Sequence, residues 1–132
     1  MSKQRLQPAG WAEPKGYANG VAASGRQVYV AGQIGWNAQC RFDSDDLVEQ
    51  VRQALANVVA VLAAGGAQPA NIVRMTWYVV DKRDYLARAR DIGRVYRELI
   101  GDYDVAMSAV QVAALIEDRA KVEIEVTAVI PG

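Results

Sequence analysis

Glu123 and Glu125 are the residues of this chain best placed to do chemistry. They stand two apart in Lys121-Val122-Glu123-Ile124-Glu125-Val126-Thr127-Ala128-Val129-Ile130. Strand alternation puts Val122, Ile124, Val126 and Ala128 on one face and Glu123, Glu125 and Thr127 on the other. That second face is either solvated or lines a cleft where a carboxylate handles a proton or a water. The chain has no histidine and one cysteine, Cys40. Zinc and copper sites of ordinary ligand count are thereby nearly excluded and no metal is expected. A Ser-His-Asp or Cys-His nucleophile cannot be built. Acid–base work falls to carboxylates, tyrosine, lysine, backbone groups or water. No phosphate-cradling glycine loop is present.

Length bounds the scaffold that must position these groups. At 132 residues, residues 1–132 form one domain with enough core to fold without a disulfide or metal. Fifteen basic residues balance fifteen acidic ones, which argues against a nucleic-acid partner. No apolar run approaches the ~20 residues of a membrane span, and Met1-Ser2-Lys3-Gln4-Arg5 has no signal-peptide core. No membrane association is expected, and a lone cysteine fits a reducing cytoplasmic setting. Cys40 reads as an incidental loop residue.

Residues 1–15, with Pro8, Gly10 and Pro14, read as an irregular arm. Val21–Ser24 and Gln27–Ala31 read as a hairpin joined through Gly25-Arg26. A helix begins near Asp43-Ser44, carries the stripe Leu47, Val51, Leu55, Val58 and Leu62, and stops at Gly65-Gly66. Ile72–Val80 is a strand rich in β-branched and aromatic residues. A second helix of about twenty residues opens at Asp81, with Tyr85, Ala89, Ile92, Tyr96 and Leu99 inward, and closes at Gly101. Two further strands complete a ββαβαββ order. The economical arrangement is an α+β domain with both helices on one face of a mixed sheet. The other face would carry Arg74, Thr76, Gln111, Glu123, Glu125 and Thr127, with Met107 and Ala109 as apolar neighbours. A half-polar uncovered face is a common oligomerisation surface.

Six stretches in order resemble the Rid (YjgF/RidA) family of reactive imine and enamine deaminases: Gly16–Gly20, Val28–Ile34, Val51–Asn57, Thr76–Asp81, Ala106–Val110 and Lys121–Glu125. The resemblance spans nearly all of residues 16–130. It implies a chorismate-mutase-like α+β fold and a homotrimer with small-molecule clefts between subunits. It also implies cofactor-free hydrolysis of 2-imino or 2-aminoacrylate species to 2-oxo acids and ammonia. By the same resemblance Glu123 is the catalytic carboxylate that orients or activates water. Tyr17, Ala31, Gly32, Gly93, Met107 and Ala109 line the substrate site.

The chain departs from that pattern where the family reads Pro-Ala-Arg-Ser, its arginine pairing with the substrate carboxylate. Here the stretch is Val105-Ala106-Met107-Ser108. A guanidinium gives a carboxylate two parallel charge-assisted hydrogen bonds and a thioether gives none. Each such bond contributes on the order of 1.5–3 kcal/mol, so their loss weakens binding by about two orders of magnitude or more. Ala31 stands where the family often has serine, Gly93 near its asparagine, and about four extra residues fall around Leu86–Arg90. The leading expectation is a hydrolase of an imine or enamine without the usual α-carboxylate anchor. Alternatives are a non-catalytic small-molecule-binding or regulatory trimer and an aminomuconate-type deaminase. Glu123 alternatively forms an ion pair across subunits, for example with Arg74. Tyr17 alternatively packs the arm, and Met107 alternatively only fills space.

Overall fold

The computed structural model describes residues 3–132; Met1 and Ser2, the start of the expected arm, lie outside the described residues. Its central element is β6, Val122–Ile130, which pairs antiparallel with β3, Arg26–Ile34, on one side and β4, Ile72–Val79, on the other. The strand β5, Ala106–Gln111, runs parallel to β4, so the main sheet has the order β3-β6-β4-β5. As the alternation requires, Val122, Ile124, Val126 and Ala128 are buried. With Ile72, Met75, Trp77 and Val79 of β4 they form the sheet side of the core.

The helix α1, Leu47–Ala64, covers that face with Leu47, Val51, Leu55, Val58 and Leu62, all buried. It is long and apolar enough to cross a membrane by length and composition, yet this stripe packs on the sheet as a core helix does. Its cap is Asp46, whose carboxylate accepts the Glu49 N–H at 3.1 Å. The cap therefore falls later than Asp43-Ser44, and Ser44 instead accepts the Asp46 N–H with its hydroxyl. Gln50 is the one buried polar side chain of the core among the described residues. It donates to the Ser44 and Arg119 carbonyls and accepts the Lys121 N–H, tying α1 to the start of β6. Gly35 permits the close approach, because a β-carbon there would stand 2.5 Å from Gln50 Cβ.

Three expectations are corrected. The arm is not wholly irregular: β1, Lys3–Leu6, pairs antiparallel with β2, Gly20–Ala23, in a separate two-stranded sheet. That pairing replaces the hairpin, since β2 joins β1 while β3 joins β6. Gly25, at φ +144°, turns the chain between them, against the Ile130 carbonyl. The second helix is two: α2, Lys82–Ala87, capped by Asp81, and α3, Ala89–Leu99. They break at Arg88, whose backbone leaves helical geometry and whose guanidinium pairs with Asp46 at 2.9 Å, and Ala89 is exposed rather than part of the core stripe. The third concerns β5. Its parallel register sets Met107 beside Met75, Ala109 beside Trp77 and Gln111 beside Val79. Those three side chains lie on the helix side of the sheet, not with Glu123.

Asp46 thus caps α1 and holds the α2–α3 break. The Arg88 hydrogen bond, helped by the backbone N–H donors of the cap, keeps its carboxyl below the usual range. A carboxyl depressed in the folded state adds stability above its unfolded value, near 4. That stability is lost as pH falls through the folded value. Asp46→Asn keeps a capping oxygen and removes the charge. In urea unfolding it should cost about 0.5–1 kcal/mol at pH 7, the range of a partly exposed pair, and nothing below about pH 2. Parallel stability–pH curves for the two proteins would show that the pair does not contribute.

Candidate functional site

The arm reaches the main sheet at Ala18, which is buried, donates its N–H to the Val105 carbonyl at 2.8 Å and bridges to Ala106. Arg5 holds the segment in place through the Tyr17 carbonyl and ion pairs to Glu13 and Asp104. Docked in this way, Lys15, Gly16 and Tyr17 form the rim of a cavity of about 430 Å³ between β5 and the α2–α3 pair. Met107 and Ala109 line its sheet wall and Ile92 and Gly93 its helix wall. Gly93 leaves room on α3, since a β-carbon there would lie 3.1 Å from the Tyr103 hydroxyl, which itself donates to the Gly93 carbonyl. The cavity therefore brings together Tyr17, Gly93, Met107 and Ala109 of the expected site.

It does not bring Glu123, Gly32 or Ala31. Glu123 pairs across strands with Tyr78, on the sheet face away from the helices. Its Oε2 lies where a Gly32 β-carbon would be, 2.0 Å from that ideal position. Gly32 is thus the residue that lets the carboxylate settle against the β3 backbone, beside the bulge between Val30 and Gln33. Asn57 of α1 steadies the following turn by donating to the Ile34 and Trp36 carbonyls. Ala31 lines a shallower depression on the same outer face, with Arg74, Thr76 and Glu125. Glu125 accepts the Tyr78 hydroxyl at 2.7 Å, which raises the Tyr78 pKa. The outer face carries no helix, and Tyr29 on it is 69% exposed.

Three arginines that could be asked to replace the missing anchor lie outside the cavity. Arg74 is on the outer face, Arg94 pairs with Asp91 at 3.2 Å, and Arg119 pairs with Asp45 at 2.9 Å over the Phe42 ring. Among the described residues Lys15 is the one charged side chain on the cavity wall. Lys15 and the ring wall, Trp77, Tyr85, Tyr96 and Tyr103, are the residues that sequence reasoning missed as site residues. Tyr96 is buried in the core as the helical stripe requires and Tyr85 packs against it, and both also border the cavity. Burial, with Tyr103 alongside, pushes both phenols above their ordinary range. They stay protonated at neutral pH and offer no base.

A family model described as Endoribonuclease L-PSP matches residues 10–130. A RutC family protein of Pasteurella multocida is 37% identical over 105 residues, covering 80% of this chain and 81% of that protein. A 2-iminobutanoate/2-iminopropanoate deaminase of Capra hircus is 34% identical over 105 residues, covering 79% and 73%. The crystal structure of the Rid-family protein YyfB of Yersinia pestis superposes with a TM-score of 0.87 at 33% identity, over 98% of this chain and all of that one.

The cavity phenols give a direct check on this geometry. In an alkaline titration followed by phenolate absorbance, Tyr85 and Tyr96, with the Glu125-bonded Tyr78, should ionise late, and Tyr96→Phe should remove one late transition only. Because their folded pKa values are raised, stability should fall as pH climbs above about 10. Six tyrosines ionising together near pH 10 in the folded protein would contradict the burial described.

Proposed function

The chain belongs to the Rid (YjgF) family, and from that premise we propose that it is a cytoplasmic deaminase hydrolysing the C=N bond of a reactive imine, or of its enamine tautomer, in a cleft completed where copies meet in a homotrimer. The observation that carries this reading is the division of the expected site between the two faces of one sheet. Met107 and Tyr17 look into the cavity while Glu123 and Gly32 lie on the uncovered outer face. One chain cannot bring the carboxylate to the cavity. A cyclic assembly in which the outer face of one sheet meets the β5 edge of the next supplies it from a second copy.

In this reading Glu123 orients a water and takes its proton as the water oxygen bonds to the imine carbon. The C=N π pair passes to nitrogen, which is protonated. Glu123, having passed the water's proton to that nitrogen, takes the carbinolamine hydroxyl proton and delivers it to the amine; the C–N bond breaks with its pair leaving on ammonia, and the oxygen pair closes the carbonyl. Backbone groups at Gly32 and Ala109 hold the water or the polar atom of the substrate. The protonated cavity phenols leave the carboxylate as the base. Met107 offers no donor, so the substrate is bound without an arginine clamp. The description of the matching model names a ribonuclease. The balanced charge and the absence of histidine favour a small-molecule substrate instead. Met107 also favours a second reading, a trimer that binds a small molecule in the same cleft without turning it over.

Ammonia release from freshly generated imines separates the two. The native protein should accelerate it, and Glu123→Ala should lower the rate about a hundredfold or more with the oligomer intact. Gly32→Ala should act likewise, by displacing the carboxylate. Undiminished turnover in Glu123→Ala would remove the carboxylate from the mechanism. No acceleration of any imine by native protein would leave the binding reading.

A further inference from the structure

Resting on the deaminase reading, we propose that the preferred substrate is an imine bearing an aromatic side chain and an anionic group, the ring taken by the tyrosine wall and the anion facing Lys15. Among the described residues five rings bound the cavity: Tyr17, Tyr85 and Tyr103 present accessible surface to it, and the buried Trp77 and Tyr96 back them. They fix one another: Tyr96 and Tyr103 stack with centroids 4.7 Å apart, and Trp77 meets Tyr85 edge-on at 6.3 Å. Tyr103 is further held by its hydroxyl on the Gly93 carbonyl and by Arg97. Rings already ordered in this way receive another flat group at little entropic cost.

Met107 extends the apolar wall with a polarizable thioether suited to contact with an aromatic edge. Gly93 contributes no side chain, so the space on the helix wall stays open. A methyl side chain would leave most of about 430 Å³ unfilled, whereas a ring covers the wall and removes it from water.

The polarity of the rim fixes the charge of the ligand. Among the described residues of one chain no carboxylate lines the cavity, so that Glu123 of a second copy is the only one the deaminase reading brings to it, and Lys15 has no ion-pair partner. The segment that carries it is anchored at Ala18 and through Arg5. An ammonium at the rim attracts an anion as a point charge. It lacks the planar two-bond geometry of a guanidinium. Affinity then comes chiefly from the ring, with the charge as a smaller increment. The cavity would discriminate by side-chain size, in the sense opposite to a tight carboxylate clamp.

Calorimetry on the full chain tests this without turnover, with phenylpyruvate, pyruvate and 2-phenylethanol as probes. Phenylpyruvate should bind at least about tenfold more tightly than pyruvate, the low end of discrimination by an apolar pocket. Lys15→Gln should weaken phenylpyruvate about threefold to fivefold, as a partly solvated charge pair allows, and leave 2-phenylethanol unchanged. Lys15→Arg should restore phenylpyruvate binding. Equal binding of pyruvate and phenylpyruvate, no binding of phenylpyruvate, or no effect of Lys15→Gln overturns the assignment.

Imines of phenylalanine and alanine, generated in place by an amino-acid oxidase, then separate this inference from the reading beneath it. A tenfold or greater preference for the phenylalanine imine in kcat/KM supports both. Equal turnover of the two imines sinks the aromatic assignment and leaves the deaminase standing. Turnover of neither, with phenylpyruvate bound as expected, sinks the deaminase and leaves the recognition.

Discussion

A β-strand turns successive side chains to opposite faces, and most of this molecule follows from that constraint acting on β6. Val122, Ile124, Val126 and Ala128 must go under the helices for a domain of this size to have a core. Glu123 and Glu125 are then committed to the other side. Moving Glu123 to the cavity would need a one-residue slip of β6, which would expose the four apolar residues at once. Core stability and the placement of the carboxylate are one choice of register. The uncovered outer face follows from it, and the proposal that a second copy closes the site rests on it.

The polar residues within the helix layer serve the same register. Gln50 is buried yet fully occupied, bonding the backbone at Ser44, Arg119 and Lys121. A buried amide with such partners defines where β6 begins, because a shifted strand would strand the amide without them. Asn57 does the same for the turn after β3. Together they hold both strands on either side of the contact between Gly32 and Glu123. Glu125, two residues on, is occupied by the Tyr78 hydroxyl. The two carboxylates look equivalent in the sequence, and their neighbours make them different: one is tied to a phenol, the other rests on a glycine.

What could be read from the sequence was whatever local periodicity carries. The β6 alternation, the α1 stripe and the β4 run each state their own inner face. The β5 register does not: Ala106–Gln111 is Ala-Met-Ser-Ala-Val-Gln, with too little contrast between its two faces. Only the parallel pairing with β4 decides which side Met107 takes. The β1–β2 pair was hidden for a similar reason, since Lys3–Leu6 is mostly polar and its partner lies some seventeen residues away. The break at Arg88 depends on an ion pair to Asp46, forty-two residues distant, which no helical period announces. The expected site was therefore legible as a set of residues but not as an arrangement. Four of its members reach the cavity and three do not, because the arrangement depends on strand register.

The aromatic wall belongs to the same logic. Tyr85, Ile92 and Tyr96 repeat at helical spacing, and taken alone they read as core. Ile92 and Tyr96 are core, buried in the cluster they share with α1, and Tyr85 packs against it, while the far edges of these side chains also border the cavity. A stripe that begins as packing thus ends as a cavity lining, with Lys15 and Tyr17 from the arm closing its rim. An arginine at position 107 would place a strongly hydrated charge among these rings, and its desolvation would have to be offset by a bound carboxylate. Methionine removes that requirement. The cavity can then be walled by rings without a carboxylate to balance them, and its one charge stays at the rim, where water still solvates it. The methionine at this strand position is therefore coherent with the composition of the wall opposite, and in the proposed reading the two together change which part of a ligand carries the binding energy.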